Sequence, residues 1–300
     1  MGPHVATIVA LDAGGTSTRA RGVRDGRVVH EGVGGPGNPR TVKGDELVAS
    51  YTEAFAGCPV ADLVVACVAG AGTLDMRAVV EDVVSSLQPG ACVHVVPDYV
   101  AAWRAVSPIA DVAVIAGTGS VVCTPDDSGG WDVSGGRGWI LGDHGSAARL
   151  GQALLGWYAE SPSELPEWVR SELRTRYGSS DWHWLVRILH EGSAPASLLS
   201  RGAPILTALA DQRHPRATEI LRTEMALLAA MTSQHVTRLL GAEAPLRVGL
   251  VGGVWRAPSA VTAFAEALSS QHPTLRLADD RPRDPLDGAE SLAHDLRVTS

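Results

Sequence analysis

The chain has 300 residues, and its 45% hydrophobic and 19% charged content excludes an intrinsically disordered or a fibrous protein. The 25 basic and 33 acidic residues leave a net charge of -8, which disfavours nucleic acid and acidic membrane surfaces as partners. No apolar run reaches the roughly 18 residues of a membrane span and no secretory leader is evident, so we expect a cytoplasmic protein.

The cysteines and histidines show no metal-binding spacing. The four cysteines include no CxxC pair and the ten histidines no HExxH arrangement, so we predict no structural zinc. Three of the cysteines fall within apolar, strand-like runs, and we therefore expect buried thiols in a reducing compartment. The four cysteines are Cys58, Cys67, Cys92 and Cys123.

The first hundred residues predict three strands followed by alternating helices and strands. Apolar or alternating runs indicate the strands, and Asp25-Gly26 indicates a hairpin turn between the second and the third. Apolar residues at helical spacing indicate the helices. The last strand leads directly into Asp98. The predicted strands are 5–11, 17–23, 27–32, 62–68 and 92–96, and the predicted helices are 45–56 and 75–87.

The same order of elements begins again after residue 110, which indicates an internal duplication. A long helical insertion, from about Gly145 to Gly241, interrupts the second copy. His235 falls on the apolar face of its last helix, where we expect a packed core histidine. The sequence therefore predicts an α/β protein with mixed sheets and two domains, 1–108 and 109–300. The second copy has predicted strands at 112–116, 120–124, 130–133, 247–251 and 274–277 and predicted helices at 259–269 and 286–296.

Two glycine-rich turns occupy equivalent places in the two copies. The first, LDAGGTST at 11–18, contains Asp12, and the second, IAGTGS at 115–120, follows the corresponding strand of the second copy. Glycine N–H groups in such turns can face an anion, and a carboxylate at a strand end can hold a hydrated metal ion. A plain hairpin turn is the alternative for either cluster alone. The repetition predicts a pair of turns that bind the phosphates of a nucleotide.

A third cluster, LVGGVW at 250–255, ends a predicted strand with Gly252 and Gly253. Such a turn can make room for a flat adenosine, because glycine lets another group approach the backbone closely. Tight packing of the strand on the following helix explains the two glycines equally well.

In this order, LDAGGT, GTGS and VGGV resemble the two phosphate motifs and the adenosine motif of the actin, Hsp70 and sugar-kinase superfamily. With GPGN at 35–38, VPDYVAAW at 96–103, GGRGWILGDHGSAARLG at 135–151 and a Pro-x-x-Gly-Ala segment at 285–289, nearly the whole chain resembles the N-acetylglucosamine kinase branch of the BadF/BadG/BcrA/BcrD ATPase family. The resemblance implies two duplicated actin-like ATPase (ribonuclease H-like) domains. Their mixed five-stranded sheets would flank a nucleotide cleft, and the helical insertion would belong to the second.

The resemblance also implies an activity. A kinase of this branch, expected to be a homodimer, moves the γ-phosphate of Mg-ATP to the 6-hydroxyl of N-acetylglucosamine or a related hexosamine. Asp98 would accept the proton of the attacking hydroxyl, and Asp12 would hold Mg²⁺ through water. The implied nucleotide-binding residues are Asp12, Gly14, Gly15, Thr16, Thr118, Gly119, Gly252 and Gly253. The implied sugar-binding residues are Asn38, Asp98, Thr118, Gly136, Arg137 and Asp143.

Several of these side chains have a simpler alternative. Asp98 at a strand end could cap a helix, and Asn38 and Asp143 could be turn residues. Relatives commonly have GGWG and GDEG where this chain has Arg137 and His144, which leaves the preferred amino sugar open. Arg137 could pair with a carboxylate or phosphate of the ligand or extend into solvent, and we favour solvent.

Two other functions fit the same motifs. One is an ATPase that activates a 2-hydroxyacyl-CoA dehydratase by electron transfer, which needs a cysteine ligand to an iron–sulfur cluster in each subunit of a dimer. The other is a non-catalytic sensor of sugar or nucleotide. The sequence contains Asp12 and Asp98 as well as both phosphate turns. This argues against a sensor, because a sensor needs no base.

Overall fold

The computed structural model describes residues 6–192, 194–240, 246–279 and 281–299. The chain divides into two compact units, one formed by Met1–Pro108 with Arg283–Ser300 and the other by Ile109–Pro282. Each unit is built around its own five-stranded mixed sheet. Within the described ranges, no helix is both long and apolar enough to cross a membrane.

The sheet of the first unit has the order β3-β2-β1-β4-β5. Its first three strands are antiparallel neighbours, whereas β4 and β5 run parallel to β1. The strands are β1 (Thr7–Ala13), β2 (Thr18–Arg24), β3 (Arg27–Gly34), β4 (Leu63–Val68) and β5 (Cys92–Pro97). The helices that accompany them are α1 (Asp45–Phe55), α2 (Leu74–Leu87), α3 (Asp98–Val106) and the closing helix of the chain.

Strand β1 is buried on both faces, as its continuous apolar run predicts. On one face, Val9 and Leu11 belong to a core that also contains residues of α1 and α2. On the other face, Ile8 and Ala10 pack in a cluster with apolar residues of the closing helix, Pro285–Thr299.

The prediction that residues 109–300 form one domain is therefore wrong for the closing segment, which belongs to the first unit. Gly288 explains how the closing helix approaches α3, because a Cβ added at Gly288 would overlap the carbonyl oxygen of Ala101. Arg21 on β2 also binds this helix, at 2.8 Å from Asp287 and 2.9 Å from Glu290. Apolar periodicity alone indicates a helix there, but it does not identify the sheet that the helix covers.

The second unit repeats the arrangement of the first. Its sheet has the order β10-β9-β6-β7-β8, in which β6 pairs antiparallel with β7 and parallel with β9, as β1 does with β2 and β4. The matching orders confirm the predicted duplication of the fold. The strands are β6 (Val112–Ala116), β7 (Ser120–Pro125), β8 (Trp131–Gly135), β9 (Arg247–Val251) and β10 (Arg276–Leu277).

The predicted strand at 274–277 is shortened to the two residues of β10, because the Leu275 N–H donates to the His272 carbonyl in a turn. Helices fill the predicted insertion, whose expected end at Gly241 lies outside the described residues. The helices of this unit are α4 (Ala147–Glu160), α5 (Glu167–Tyr177), α6 (Trp182–Glu191), α7 (Pro195–Ser200), α8 (Ala203–Asp211), α9 (Pro215–Leu240) and α10 (Pro258–Gln271).

The cysteines differ in exposure. Cys67 and Cys123 are buried, as predicted. The expectation is wrong for Cys92, which is exposed because it begins β5, the edge strand of its sheet; its Sγ lies 3.6 Å from His94 Nε2. Cys58 is half-buried.

His235 is a core histidine, as its place on the apolar face of α9 predicts. Its side chain is 1% exposed and joins α9 to the sheet through Thr124 Oγ1 at 3.2 Å from Nε2 and Ser134 Oγ at 2.9 Å from Nδ1. Burial lowers the pKa of His235 to about 4, so the imidazole is neutral in the folded protein at neutral pH.

We expect His235 to make the protein less stable as the pH falls from about 6.5 towards 4. The unfolded state binds a proton at this imidazole near pH 6.5, whereas the folded state binds it only near pH 4. Urea unfolding of the wild type and His235→Gln should show that their difference in unfolding free energy shrinks by about 2 kcal/mol between pH 7.5 and pH 5. A constant difference would contradict this prediction.

Candidate functional site

The candidate site residues of the first unit gather where the parallel strands end. Asp12 is near the carboxyl end of β1, Gly70 follows β4, and Asp98 directly follows β5. In sheets with parallel strands, this edge is where ligands bind. Cys67 on β4 pairs in register with Asp12, and burial, followed by the charges of Asp12 and Asp98, raises the pKa of its thiol. The charges of Asp12 and Asp98 therefore both reach the region around Cys67.

Asp12 is bound by Arg19, which lies opposite it in the β1–β2 ladder. The guanidinium lies 2.6 Å from Asp12 Oδ2 and donates two further hydrogen bonds, of 2.7 and 2.8 Å, to the carboxylate of Asp284. Burial raises the pKa of Asp12, and Arg19 opposes that rise. The hydrogen bonds to Asp284 are the largest cause of a raised pKa for Arg19. Arg19 is therefore a fixed cation between two carboxylates.

Asp98 is the first residue of α3 rather than its N-cap, which is Pro97. Its carboxylate nevertheless accepts backbone N–H groups in the first turn of α3, as a capping role predicts. Burial, and then the nearby Asp12 charge, raise the pKa of Asp98 to about 6, although the backbone N–H groups of Tyr99 and Asp98 oppose the rise. A carboxylate whose pKa lies close to neutral pH can both accept a proton and release it.

The turn after β1 is closed by a hydrogen bond of 2.8 Å from the Gly14 N–H to the Ser17 carbonyl. The GPGN segment packs directly on it, since the Gly37 N–H donates to the Gly14 carbonyl at 3.0 Å. Tyr51 holds the same segment through a hydrogen bond of 3.0 Å from its hydroxyl to the Gly37 carbonyl. Gly15 is half-buried and Thr16 is exposed at the tip of the turn.

Asn38 has the turn role that its simpler alternative predicts, because its Oδ1 accepts the Arg40 N–H at 2.9 Å. The same side chain lies against Gly70, where an added Cβ would overlap Asn38 Oδ1. Gly70 has a φ of +82°, which favours glycine on its own account. The structure thus places Asn38 beside the loop that follows β4.

In the second unit, the turn after β6 is closed by the Gly117 N–H, which donates to the Gly119 carbonyl at 3.0 Å. The start of α4 lies on this turn, because the Ala147 and Ala148 N–H groups donate to the carbonyls of Gly117 and Thr118 at 2.8 and 3.2 Å. The GTG turn and the segment that leads into α4 therefore form one block.

Asp143 packs against Gly119 in this block. A Cβ added at Gly119 would lie 2.7 Å from Asp143 Oδ2, so only glycine leaves room for the carboxylate. Asp143 is 7% exposed and has a φ of +52°, a conformation that non-glycine residues rarely adopt. Burial raises its pKa, and backbone N–H groups, among them those of Gly138 and Ser120, oppose the rise. Among the described residues its Oδ1 has no hydrogen-bond partner, and this oxygen is itself buried.

Glu224 on α9 anchors the same segment. Its carboxylate accepts the Gly145 N–H at 2.9 Å and the Arg149 guanidinium at 2.9 Å, and the His144 Nδ1 lies 3.8 Å away. Gly136 and Arg137 are exposed in the preceding part of the loop. Glu224 was missed from sequence because it is 79 residues from Gly145 and no local motif marks it.

The two glycines after β9 differ. Gly252 has a φ of +111°, and a Cβ there would lie 2.5 Å from the Ala116 carbonyl oxygen, so close packing on β6 explains it. A Cβ added at Gly253 would meet nothing within 4 Å. Packing therefore accounts for Gly252 and leaves Gly253 unexplained.

Asp12 is the candidate magnesium residue of the first unit. Within the described ranges, no group of three or more His, Cys, Asp and Glu side chains could hold a metal ion by itself. Mg²⁺ is usually held by one or two carboxylates together with waters and substrate phosphates. A single carboxylate at a strand end fits that mode of binding.

Comparison with known proteins identifies a family. The profile of the BadF/BadG/BcrA/BcrD ATPase family matches residues 9–290. A search of curated protein sequences finds no match. Among solved structures, a candidate N-acetylglucosamine kinase from Porphyromonas gingivalis is 21% identical, with a TM-score of 0.75 over 97% of this chain and 99% of that chain.

Two further solved structures are similar over almost their whole length. A candidate N-acetylglucosamine kinase from Chromobacterium violaceum is 21% identical, with a TM-score of 0.64 over 97% of this chain and 100% of that chain. A ROK family glucokinase from Streptomyces griseus, in complex with glucose and AMPPNP, is 16% identical, with a TM-score of 0.60 over 96% of this chain and 99% of that chain. These similarities show that the fold is that of actin-like sugar kinases.

Proposed function

Since the chain belongs to the BadF/BadG/BcrA/BcrD ATPase family, we propose that it is an ATP-dependent amino-sugar kinase. Its reaction would transfer the γ-phosphate of Mg-ATP to the 6-hydroxyl of N-acetylglucosamine or a related hexosamine. The half-buried carboxylate of Asp98, which directly follows β5 and has a raised pKa, is the observation that carries this proposal, because a sugar hydroxyl needs such a base.

Asp98 accepts the proton of the attacking hydroxyl. As the sugar oxygen bonds to the γ-phosphorus, the bond between that phosphorus and the β–γ bridging oxygen breaks and ADP leaves. A pKa of about 6 keeps Asp98 mostly ionised at neutral pH, so the carboxylate can orient the hydroxyl and take its proton. Asp98 then returns the proton to solvent.

The glycine-rich turns supply the proposed nucleotide contacts. In the first unit, Gly14, Gly15 and Thr16 offer backbone N–H groups and a hydroxyl to the phosphates, and in the second unit Thr118 and Gly119 do the same. Bound Mg²⁺ supplies charge neutralisation of the transferred phosphoryl group. Asp12 would hold that ion through water, and Arg19 opposes the rise that burial causes in the pKa of Asp12.

The proposed sugar contacts come from Asn38, Asp98, Asp143 and the loop at 136–137. The place of Asp143 supports its role, because its carboxylate packs directly against Gly119 of the GTG turn. Arg137 is exposed. Its guanidinium is therefore accessible to an anionic substituent of a substrate that carries one. A homodimer and a cytoplasmic location remain predictions.

Substitutions of the two glycines after β9 distinguish a role in packing from a role in nucleotide binding. Gly252→Ala should destabilise the protein by about 2 kcal/mol or more, because it combines a left-handed φ with overlap at the Ala116 carbonyl. Gly253→Ala should leave the unfolding free energy unchanged within about 0.5 kcal/mol but weaken ATP binding about tenfold. Urea unfolding and calorimetric titration with ATP measure the two effects. An unchanged ATP affinity in Gly253→Ala would exclude adenosine from this position.

The proposed activity is tested by ADP formation from ATP in the presence of N-acetylglucosamine, glucosamine, N-acetylmuramic acid, N-acetylmannosamine, glucose or no sugar. We expect turnover that depends on an amino sugar. A preference for N-acetylmuramic acid, which alone in this set carries a carboxylate, would indicate that Arg137 contacts the substrate. Hydrolysis that is equal with and without sugar would favour the ATPase activator instead.

A further inference from the structure

A cavity of about 440 Å³ lies between helices α4, α6 and α7 of the second unit, and none of its lining residues belongs to the proposed nucleotide and sugar contacts. This volume is within the range of small-molecule sites, which are concave and mainly apolar. Two polar side chains, Gln152 and His190, also line it. The main apolar walls are Trp139, Leu155, Trp182, Leu185, Leu189 and Leu199.

Gly156 on α4 keeps the cavity open. A glycine inside a helix costs about 1 kcal/mol relative to alanine, so its presence needs a reason. Gly151, one and a half turns earlier, has one, because a Cβ there would overlap the Leu199 carbonyl oxygen of the adjacent helix α7. A Cβ at Gly156 would instead meet nothing within 4 Å. Trp182 and Val186, which line the same cavity, are 46% and 43% exposed, so two large apolar side chains there are left partly uncovered.

The lining defines the ligand's chemistry. Among the described residues, the lining includes no Asp, Glu, Lys or Arg, so these side chains offer no carboxylate, ammonium or guanidinium to an ionised ligand. The indole rings of Trp139 and Trp182 suit a flat apolar group, and Gln152 and His190 can each exchange one hydrogen bond with it. We propose that this cavity binds an uncharged aromatic or aliphatic small molecule with one hydrogen-bonding group, and that this molecule acts as an effector of the loop at 136–146, between β8 and α4.

Two connections lead from the cavity to that loop. Trp139 belongs to the loop itself. Gln152 on the cavity wall accepts a hydrogen bond from Arg149 at 3.3 Å, Arg149 binds Glu224 at 2.9 Å, and Glu224 accepts the Gly145 N–H at 2.9 Å. A ligand that contacts both Trp139 and Gln152 therefore biases the conformation of the segment that carries Asp143. Because Asp143 is a proposed sugar contact, an effect of this molecule on sugar affinity rests on the proposed function.

The probe for binding is 5-fluoroindole. Its binding to the full chain is measured by ¹⁹F NMR in the absence of nucleotide and sugar. Gly156→Leu fills the cavity at a position where the helix gains propensity, and Gly156→Ala adds only one methyl group as a matched control. We expect at least tenfold weaker binding in Gly156→Leu and nearly wild-type binding in Gly156→Ala. Val186→Glu, at another lining residue of the cavity, is a second variant expected to block binding of the probe. No binding to the wild type, or equal binding to all variants, overturns the site.

The effector role is tested by hydrogen exchange. Saturating 5-fluoroindole should slow exchange of the amides in 136–146 at least twofold in the wild type and leave it unchanged in Gly156→Leu. Unchanged exchange in the wild type overturns the coupling. Neither measurement uses sugar or ATP, so a failure here is distinguishable from a failure of the proposed kinase activity.

Discussion

The Asp98→Asn variant is expected to phosphorylate amino sugar about 10²- to 10⁴-fold more slowly than the wild type, because the amide cannot accept the proton of the attacking hydroxyl. Its affinity for ATP should change little, since the assigned nucleotide contacts come from the glycine-rich turns. Turnover and calorimetric titration with ATP measure the two effects. Undiminished transfer would remove Asp98 from the role of base.

A matched control comes from Asp75, which also lies in the first turn of a helix but is exposed. Asp75→Asn makes the same chemical change without touching the site, so its kinetic constants should equal those of the wild type. The wild type should also lose kcat/KM below about pH 6, tenfold per pH unit, because only the ionised form of Asp98 accepts a proton. A profile that stays flat down to pH 5 would contradict the pKa assigned to Asp98.

The Arg19→Met variant is expected to lose both activity and stability. Without the guanidinium, Asp12 and Asp284 face each other as partly buried carboxylates without a cation, and the pKa of Asp12 rises further. Removal of one partner from a fully buried ion pair costs about 3–5 kcal/mol, and the partial exposure of these groups reduces the expected loss to about 1–3 kcal/mol. We expect transfer to fall at least about 100-fold, because a further rise in the pKa of Asp12 weakens its hold on Mg²⁺.

Arg21→Met separates the two effects. Arg21 is two residues further along β2 and binds Asp287 and Glu290 of the same closing helix, but not Asp12. This control should lose stability while retaining most of its activity. Equal losses of activity in Arg19→Met and Arg21→Met would show that Arg19 acts only by holding the closing helix.

Local patterns in the sequence predict most elements of this fold. The continuous apolar run of β1, the Asp25-Gly26 hairpin and the glycine-rich turns each depend on residues close in the chain, and the structure contains all three. The contact between Asp12 and Arg19 could also have been predicted from the sequence, because a hairpin that turns at 14–17 places residues 12 and 19 opposite each other.

Two other features missed from sequence, the Arg19–Asp284 contact and the role of Glu224, depend on residues far apart in the chain. Arg19 and Asp284 are 265 positions apart, and nothing in the turn-rich segment before the closing helix shows which sheet it contacts. Glu224 is one charged residue on a long helix, and only the packed structure reveals that it binds the backbone beside Asp143. Periodicity identifies the buried face of a helix, but not its partner.

The central claim is that this protein phosphorylates the 6-hydroxyl of an amino sugar, and the identity of the product tests it most directly. The wild type is incubated with Mg-ATP and N-acetylglucosamine, and the mixture is examined by ³¹P–¹H correlation NMR, with Asp98→Asn as the control. We predict a sugar phosphate whose phosphorus couples to the two protons on carbon 6 and which the variant does not form. ADP accompanied only by inorganic phosphate would contradict the account.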